Sequence, residues 1–112
     1  MIKKNIFNDL PAKNLPDEVF ELLAAGKKFK LEKIISTGQC SPEDHWYDQE
    51  CSELVILLKG SAKILLKTTE DEKEVLLNSG DYLLISPHQK HRIICTDLKE
   101  PTVWLALYFE ND

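Results

Sequence analysis

The chain has 112 residues, the usual size of one domain, and its 43% apolar and 29% charged residues are ordinary for a globular protein. A net charge of −5 argues against a general nucleic-acid binder. No apolar run approaches the ~18 residues of a membrane-spanning helix, and no apolar segment follows the N-terminal lysines as in a signal peptide. We therefore predict one cytoplasmic domain over residues 1–112, with neither a nucleic-acid nor a membrane partner.

The residues before position 28 predict an extended segment followed by one short helix. Asn14 is a favourable helix cap, Pro16 fits the first helical turn, and Gly26 is a typical helix stop. The predicted helix runs over residues 15–25. Its apolar positions at helical spacing are Val19, Phe20, Leu22 and Leu23.

From residue 28 onwards, short apolar or alternating segments separated by turn residues predict strands. Turn signals recur about every 8–12 residues, which is typical of an all-β sandwich or barrel. We place the barrel core at about residues 28–110. The predicted strands cover residues 28–33, 53–59, 62–67, 74–77, 82–85, 91–96 and 102–109.

Three cysteines, Cys40, Cys51 and Cys95, have no C-x-x-C spacing and predict neither a disulfide framework nor a zinc knuckle. Their odd number fits a reducing compartment. We interpret them as small, half-buried thiols rather than as catalytic nucleophiles.

The segment from Gly80 to Arg92 contains a Gly-Asp pair, a later apolar residue at Ile85, and a histidine at His91. This order and spacing resemble the second motif of the cupins, a family of small jelly-roll barrels. The family motif usually has Pro-x-Gly before its last residues, and here His88 stands where that glycine is usual. A histidine accepts the positive φ of such a turn less readily than glycine does.

The first cupin motif usually reads His-x-His, then Glu, then Gly six residues later. Its second half is matched by Glu53 and Gly60. Its first half is not, because no register of the preceding loop supplies two histidines. The usual spacings instead give Trp46 with Asp48 or Tyr47 with Gln49, and a loop longer by one residue gives His45 with Tyr47.

The resemblance covers about residues 34–109 and implies an all-β cupin jelly-roll, a double-stranded β-helix barrel, preceded here by the short helix. It also implies a small bacterial cupin with one divalent metal, Fe, Mn, Zn, Ni or Cu, in the barrel mouth. His91 and Glu53 would be its ligands, with His45, Gln49 or Asp48 as a third. A neutral His91 hydrogen-bonded to Glu53 explains the same pair without a metal.

Aromatic and polar residues predict the rest of the pocket. Trp104 lies in an apolar strand and is interpreted as core or pocket wall. The polar entry segment supplies Trp46, Tyr47 and Asp48, and its two aromatic residues suit a mouth for a planar or sugar-like ligand, although core packing explains them nearly as well. Strand alternation places Ile93 and Cys95 on the face of His91. It places Arg92 on the opposite face, where we predict an ion pair, and we predict His88 at the surface.

Two functional classes follow from the resemblance. The first is a small-molecule-binding cupin with an optional, weakly held metal, and the second is a metal-dependent oxygenase or isomerase. A purely structural partner in a homodimer is a third. The incomplete first motif favours binding. We also predict a homodimer, because Leu54, Ile56 and Leu58 give the strand that carries Glu53 a second apolar face that needs cover.

Overall fold

The computed structural model describes residues 2–111, which form eight strands and, within that range, no helix. Accordingly, none of these residues belongs to a helix long and apolar enough to cross a membrane. The predicted all-β fold is confirmed, and its strands form two antiparallel sheets. The strands are β1 (Val19–Ala25), β2 (Phe29–Ser36), β3 (Ser52–Lys59), β4 (Ser61–Lys67), β5 (Glu72–Asn78), β6 (Tyr82–Ile85), β7 (His91–Thr96) and β8 (Thr102–Phe109).

Two sheets of unequal width face each other. One has five strands in the order β1-β2-β8-β3-β6, and the other has three in the order β5-β4-β7. Because successive side chains of a strand point to opposite faces, every second residue of the central strands enters the space between the sheets. The core there contains Val55, Leu57, Ala62, Ile64, Leu77, Ile85 and Trp104.

The predicted N-terminal helix over residues 15–25 is wrong, because most of these residues, from Val19 to Ala25, form strand β1 instead. This strand pairs with β2 from Val19 opposite Ile35 to Ala25 opposite Lys30, with a register shift at Leu23. Gly26 belongs to the turn of this hairpin, where its N–H donates to the carbonyl of Phe29 at 2.9 Å. Pairing with a neighbouring strand overrides a helix propensity that is only a weak preference.

The motif glycine Gly60 makes the tight connection between β3 and β4. Its φ is +94°, and an added Cβ would lie 2.4 Å from the Thr102 hydroxyl oxygen and 2.7 Å from the Thr102 Cα. Only glycine satisfies both the positive φ and this close approach. The turn therefore fixes how β3, which carries Glu53, continues into the opposite sheet.

The side of the five-stranded sheet that points away from the core is also apolar, and we call it the outer face. Register pairs Leu84 with Leu54, Leu54 with Leu107, and Leu107 with Leu31 across four strands. A parallel row runs through Tyr82, Ile56 and Leu105. At the β6 edge Tyr82 is 70% exposed and Leu84 is 58% exposed.

Candidate functional site

A cavity of about 140 Å³ lies between the two sheets. Most of its wall is aliphatic or aromatic, and its polar groups are concentrated where β3 and β7 meet the segment before β3. We call that group, made of Gln49, Glu53 and His91, the polar end. The cavity is lined by Glu18, Phe20, Ile34, Tyr47, Gln49, Glu53, Val55, Ile64, Ile85, His91, Ile93, Trp104 and Tyr108.

Glu53 and His91, predicted from separate motifs, face each other from opposite sheets. Glu53 is 8% exposed and His91 is 6% exposed. Their Oε1 and Nε2 atoms are 3.7 Å apart, which is longer than a hydrogen bond. Gln49 Nε2 donates to the same Glu53 oxygen at 2.8 Å.

The hydrogen bond on the other side of the His91 ring fixes where its proton lies. His91 Nδ1 is 2.9 Å from the carbonyl oxygen of Gln89. A carbonyl can only accept, so Nδ1 must carry the proton that it donates. In the neutral ring Nε2 then keeps a free lone pair, and this lone pair faces Glu53 across the cavity.

Burial governs the ionisation of the acidic groups at the polar end. Burial raises the pKa of the Glu53 carboxyl, as does the charge of Glu32, whereas the hydrogen bond from Gln49 and the proximity of His91 oppose that rise. Burial also raises the pKa of Tyr108, with the charges of Glu53 and Glu32 adding to the effect. Tyr108 therefore stays a neutral hydroxyl at any physiological pH.

The segment at residues 45–49 is attached to the start of β7 by backbone hydrogen bonds. Tyr47 N–H donates to the His91 carbonyl at 2.8 Å, and His91 N–H donates to the Tyr47 carbonyl at 3.1 Å. The Tyr47 ring stacks on the His91 ring at 5.6 Å between centroids. This attachment brings Tyr47 and Gln49 to the cavity, as their predicted roles require.

His88 adopts the conformation that glycine usually provides at its position. Its φ is +63°, and its side chain is 66% exposed, so it lies at the surface as predicted. Its backbone N–H donates to the Gln49 carbonyl at 2.7 Å, and its Nδ1 lies 2.8 Å from Asp48 Oδ1. Asp48, predicted as a pocket residue or ligand, thus pairs with His88 and does not line the cavity.

The remaining predicted residues of this segment also lie outside the cavity. Trp46 is on the far side of the three-stranded sheet, where its ring centroid is 5.3 Å from Lys67 Nζ and 6.0 Å from the Arg92 guanidinium. His45 packs edge-on against Tyr47 at 4.7 Å between centroids. The predicted ion pair of Arg92 is wrong within residues 2–111, since its guanidinium lies over Trp46 instead.

The prediction that Cys95 shares the face of His91 is wrong, and a β-bulge is the reason. Ile93 pairs with Ile64 and lines the cavity, but Cys95 pairs with Lys63 because the register shifts at the intervening Ile94. One extra residue in a strand moves the following side chains to the opposite face. The apolar wall beside His91 therefore ends at Ile93.

Several cavity residues were not predicted from the sequence, among them Tyr108, Glu18 and Phe20. Tyr108 lies on the face of Trp104, and alternation along β8 could have identified it. Glu18 and Phe20 could not be found, because the residues from 15 to 25 were assigned to a helix. Glu18 accepts a hydrogen bond from Ser36 Oγ, which in turn accepts one from Trp104 Nε1 at 3.0 Å.

The donor set at the polar end does not fit a firmly held metal ion. Across residues 2–111 there is no group of three or more His, Cys, Asp or Glu side chains able to hold a metal. Glu53 and His91 supply two ligands, and the neighbouring third donor is only the Gln49 amide. Catalytic metal sites usually have three protein ligands of the imidazole, carboxylate or thiolate type.

Comparisons with known proteins place the chain among related structures. A family model described as "Cupin domain" matches residues 32–108. A Ralstonia eutropha JMP134 protein, provisionally called a mannose-6-phosphate isomerase, has 39% identity and a TM-score of 0.90, over 99% of this chain and 100% of that one. A search of curated proteins finds no match.

Two further solved structures share the fold at low identity. A cupin superfamily protein from Desulfitobacterium hafniense DCB-2 has 16% identity and a TM-score of 0.72, over 91% of this chain and 84% of that one. Hydroxypropylphosphonic acid epoxidase from S. wedmorenis has 19% identity and a TM-score of 0.70, over 97% of this chain and 59% of that one. At these identities the likeness concerns the fold alone.

Proposed function

The chain belongs to the cupin family, and from that premise we propose that it is a small-molecule-binding cupin whose ligand occupies the cavity between the two sheets. Because this fold serves many chemistries, the proposal depends on the site rather than on the family. The observation that carries it is an apolar cavity with a single cluster of buried polar side chains at one end. Such a combination is typical of pockets that hold an apolar ligand body and orient one polar head group.

The size of the cavity limits the ligand. Its volume of about 140 Å³ is close to the roughly 150 Å³ of an engineered cavity that binds benzene. The enclosed part of the ligand is therefore about the size of one six-membered ring with a short substituent. A hexose phosphate is considerably larger than benzene, so we do not extend the provisional name of the Ralstonia relative to this protein.

The wall favours a ring over a flexible polar chain. Trp104 and Tyr47 offer aromatic surfaces, and Ile64, Ile85 and Ile93 are among the aliphatic residues around them. Aromatic rings pack well against such surfaces in stacked or edge-on arrangements. We propose that the ring lies against this wall with its polar substituent at the polar end.

The alternative function is a metal-dependent oxygenase or isomerase. It is favoured by Glu53 and His91, which stand at the motif spacing and lie 3.7 Å apart in the cavity. It is disfavoured by the incomplete donor set, so we assign any divalent metal here a weak and dispensable role. Stoichiometric metal in protein purified without chelator, lost in His91→Ala, would support the enzyme instead.

Tryptophan fluorescence tests the binding proposal, since only one of the two tryptophans lines the cavity. In Trp46→Phe the remaining reporter is Trp104, and titration with benzyl alcohol should change its emission with a Kd of about 1 mM, or about −4 kcal/mol. In Trp104→Phe the remaining Trp46 lies outside and should not respond. Val55→Phe, which fills part of the cavity, should weaken binding at least about tenfold while the protein stays folded by circular dichroism. No response in Trp46→Phe would contradict the proposal.

We further propose that a second copy of this chain covers the outer face. The chain exposes 7631 Å², roughly 1300 Å² more than the ~6300 Å² expected for a compact monomer of this length. A standard interface buries about 800 Å² per partner, so the excess is sufficient for a stable dimer. The rows through Leu84 and Tyr82 are a broad apolar surface of the kind that homodimers bury.

A further inference from the structure

When the His91 ring is neutral, two hydrogen-bond acceptors face each other at the polar end with no donor between them. His91 Nε2 has its lone pair directed into the cavity, because the ring proton is on Nδ1 and is donated to Gln89. Glu53 Oε1 lies 3.7 Å from that nitrogen. A single nitrogen carrying two or more hydrogens can stand about 2.8–3.0 Å from both atoms and donate to each.

The same end of the cavity has little to offer an anion. Gln49 Nε2 already donates to Glu53, and His91 Nδ1 donates to the Gln89 carbonyl. The other side-chain donors of the lining are the hydroxyls of Tyr47 and Tyr108 and the indole of Trp104, which donates to Ser36. The described lining residues include no lysine and no arginine. Proteins bind carboxylates and phosphates through charge-assisted bonds from such cations or from several N–H groups.

The surrounding charges reinforce this preference. Glu18 is a second carboxylate in the lining. Glu32 lies close enough to influence Glu53, and its charge is offset by Lys30 Nζ at 3.6 Å. Lys30 Nζ lies 4.8 Å above the Tyr108 ring, and Lys30 is half exposed and already paired with Glu32. The two lining carboxylates therefore leave the cavity with a negative potential that attracts cations.

We infer that this cavity selects small primary amines, bound as ammonium ions, over neutral analogues, and rejects carboxylates and phosphates of the same size. The ammonium group lies between His91 Nε2 and a Glu53 oxygen, and the apolar body lies against Trp104 and the isoleucine wall. The inference rests on the proposed function, since it names the chemical class of ligand for the same cavity. No covalent step is involved.

Three probes of matched size test it, all with the Trp46→Phe reporter at pH 8 in the presence of a chelator that removes metal ions. Benzylamine should bind at least about tenfold more tightly than benzyl alcohol, and benzoate should give no saturable response. Equal or weaker binding of benzylamine, with benzyl alcohol still bound, overturns the inference and leaves the proposed function intact. If neither benzylamine nor benzyl alcohol binds, both the proposed binding function and the preference for amines are overturned.

A carboxylate-to-amide change identifies the residue responsible. Glu53→Gln keeps the side-chain shape and an acceptor oxygen but removes the charge, so the ratio of amine to alcohol affinity should fall to within about twofold of one. Glu74→Gln, an exposed change on β5 in the other sheet, should leave the ratio unaltered. An amine preference that survives Glu53→Gln would overturn the inference.

Discussion

The two faces of the five-stranded sheet are built from the same kinds of residue, but they have different surroundings. On the inner face Leu57 is 0% exposed beneath the three-stranded sheet, whereas on the outer face Leu84 is 58% exposed. Both leucines lie on paired strands, β3 and β6, of one sheet. Alternation along a strand thus assigns one set of leucines to the core and leaves the other set on a surface that a partner can cover.

We expect the largest loss of folding stability from a substitution on the inner face. Leu57→Ala removes a fully buried side chain at the centre of the core and should lower the free energy of unfolding by about 3 kcal/mol. Leu84→Ala should change it by less than about 0.5 kcal/mol when measured under monomeric conditions. Urea denaturation at low protein concentration measures both, and similar losses would show that the two faces are not different.

The outer face should control assembly rather than folding. Leu84→Asp places a charge in the proposed dimer contact and should convert a dimer to a monomer, which light scattering would register as a halved mass. Leu76→Asp is the matched control, because Leu76 is 56% exposed on β5 of the other sheet and should leave the mass unchanged. A wild-type protein that is monomeric at micromolar concentration would refute the dimer.

We expect a smaller effect on stability, one that depends on pH, from the buried Glu53 carboxyl on the inner face. Burial raises the pKa of Glu53 in the folded chain, so the folded state holds this proton more tightly than the unfolded state. The stability contributed by this group is therefore fully present below the usual glutamate pKa of about 4.3, and it is lost as pH rises through the raised pKa. Glu53→Gln should melt at a higher temperature than wild type at pH 7–8, and the two should converge near pH 4.

We expect the smallest effect on stability, with the opposite dependence on pH, from the Asp97 carboxyl, which lies on neither face of the five-stranded sheet. Asp97 accepts a hydrogen bond from the backbone N–H of Lys99 at 2.8 Å, and this bond lowers the pKa of its side chain. Its contribution to stability is present above the usual aspartate pKa of about 3.9 and is lost as pH falls. Asp97→Asn should slightly lower the melting temperature at neutral pH and have no effect in acid. A shift in melting temperature larger than that caused by Glu53→Gln would contradict the expected ranking of the two carboxyls.

Most of the barrel could be predicted, because its strands carry their own local signals. Turn residues and apolar segments define β6, β7 and β8 with the same bounds in sequence and structure. The prediction of a helix over residues 15–25 is wrong for a physical reason. Asn14, Pro16 and Gly26 are typical of turns as well as of helix ends. The choice between a helix and a strand is decided by pairing with β2. This pairing is a tertiary contact that the periodicity of residues 15–25 cannot reveal.

The candidate site could be predicted only where motif spacing is rigid. Glu53 and His91 follow from the turns at Gly60 and Gly80, which hold them at fixed positions on their strands. The irregular segment before β3 gives no such constraint, and its orientation depends on the pairing of Tyr47 with His91. Because that pairing directs Tyr47 to the cavity, its neighbours Trp46 and Asp48 point elsewhere.

Strand β1 has a further consequence for how a ligand reaches the cavity. It is the edge of its sheet, it is hydrogen-bonded to β2 alone, and all seven of its residues are exposed, yet Phe20 from this strand is part of the cavity wall. Edge elements with few buried contacts open at the lowest free energy, so local fraying of β1 would admit a ligand without unfolding the barrel. The amide hydrogens of this strand should exchange fastest among the eight strands, and a bound ligand that contacts Phe20 should slow them.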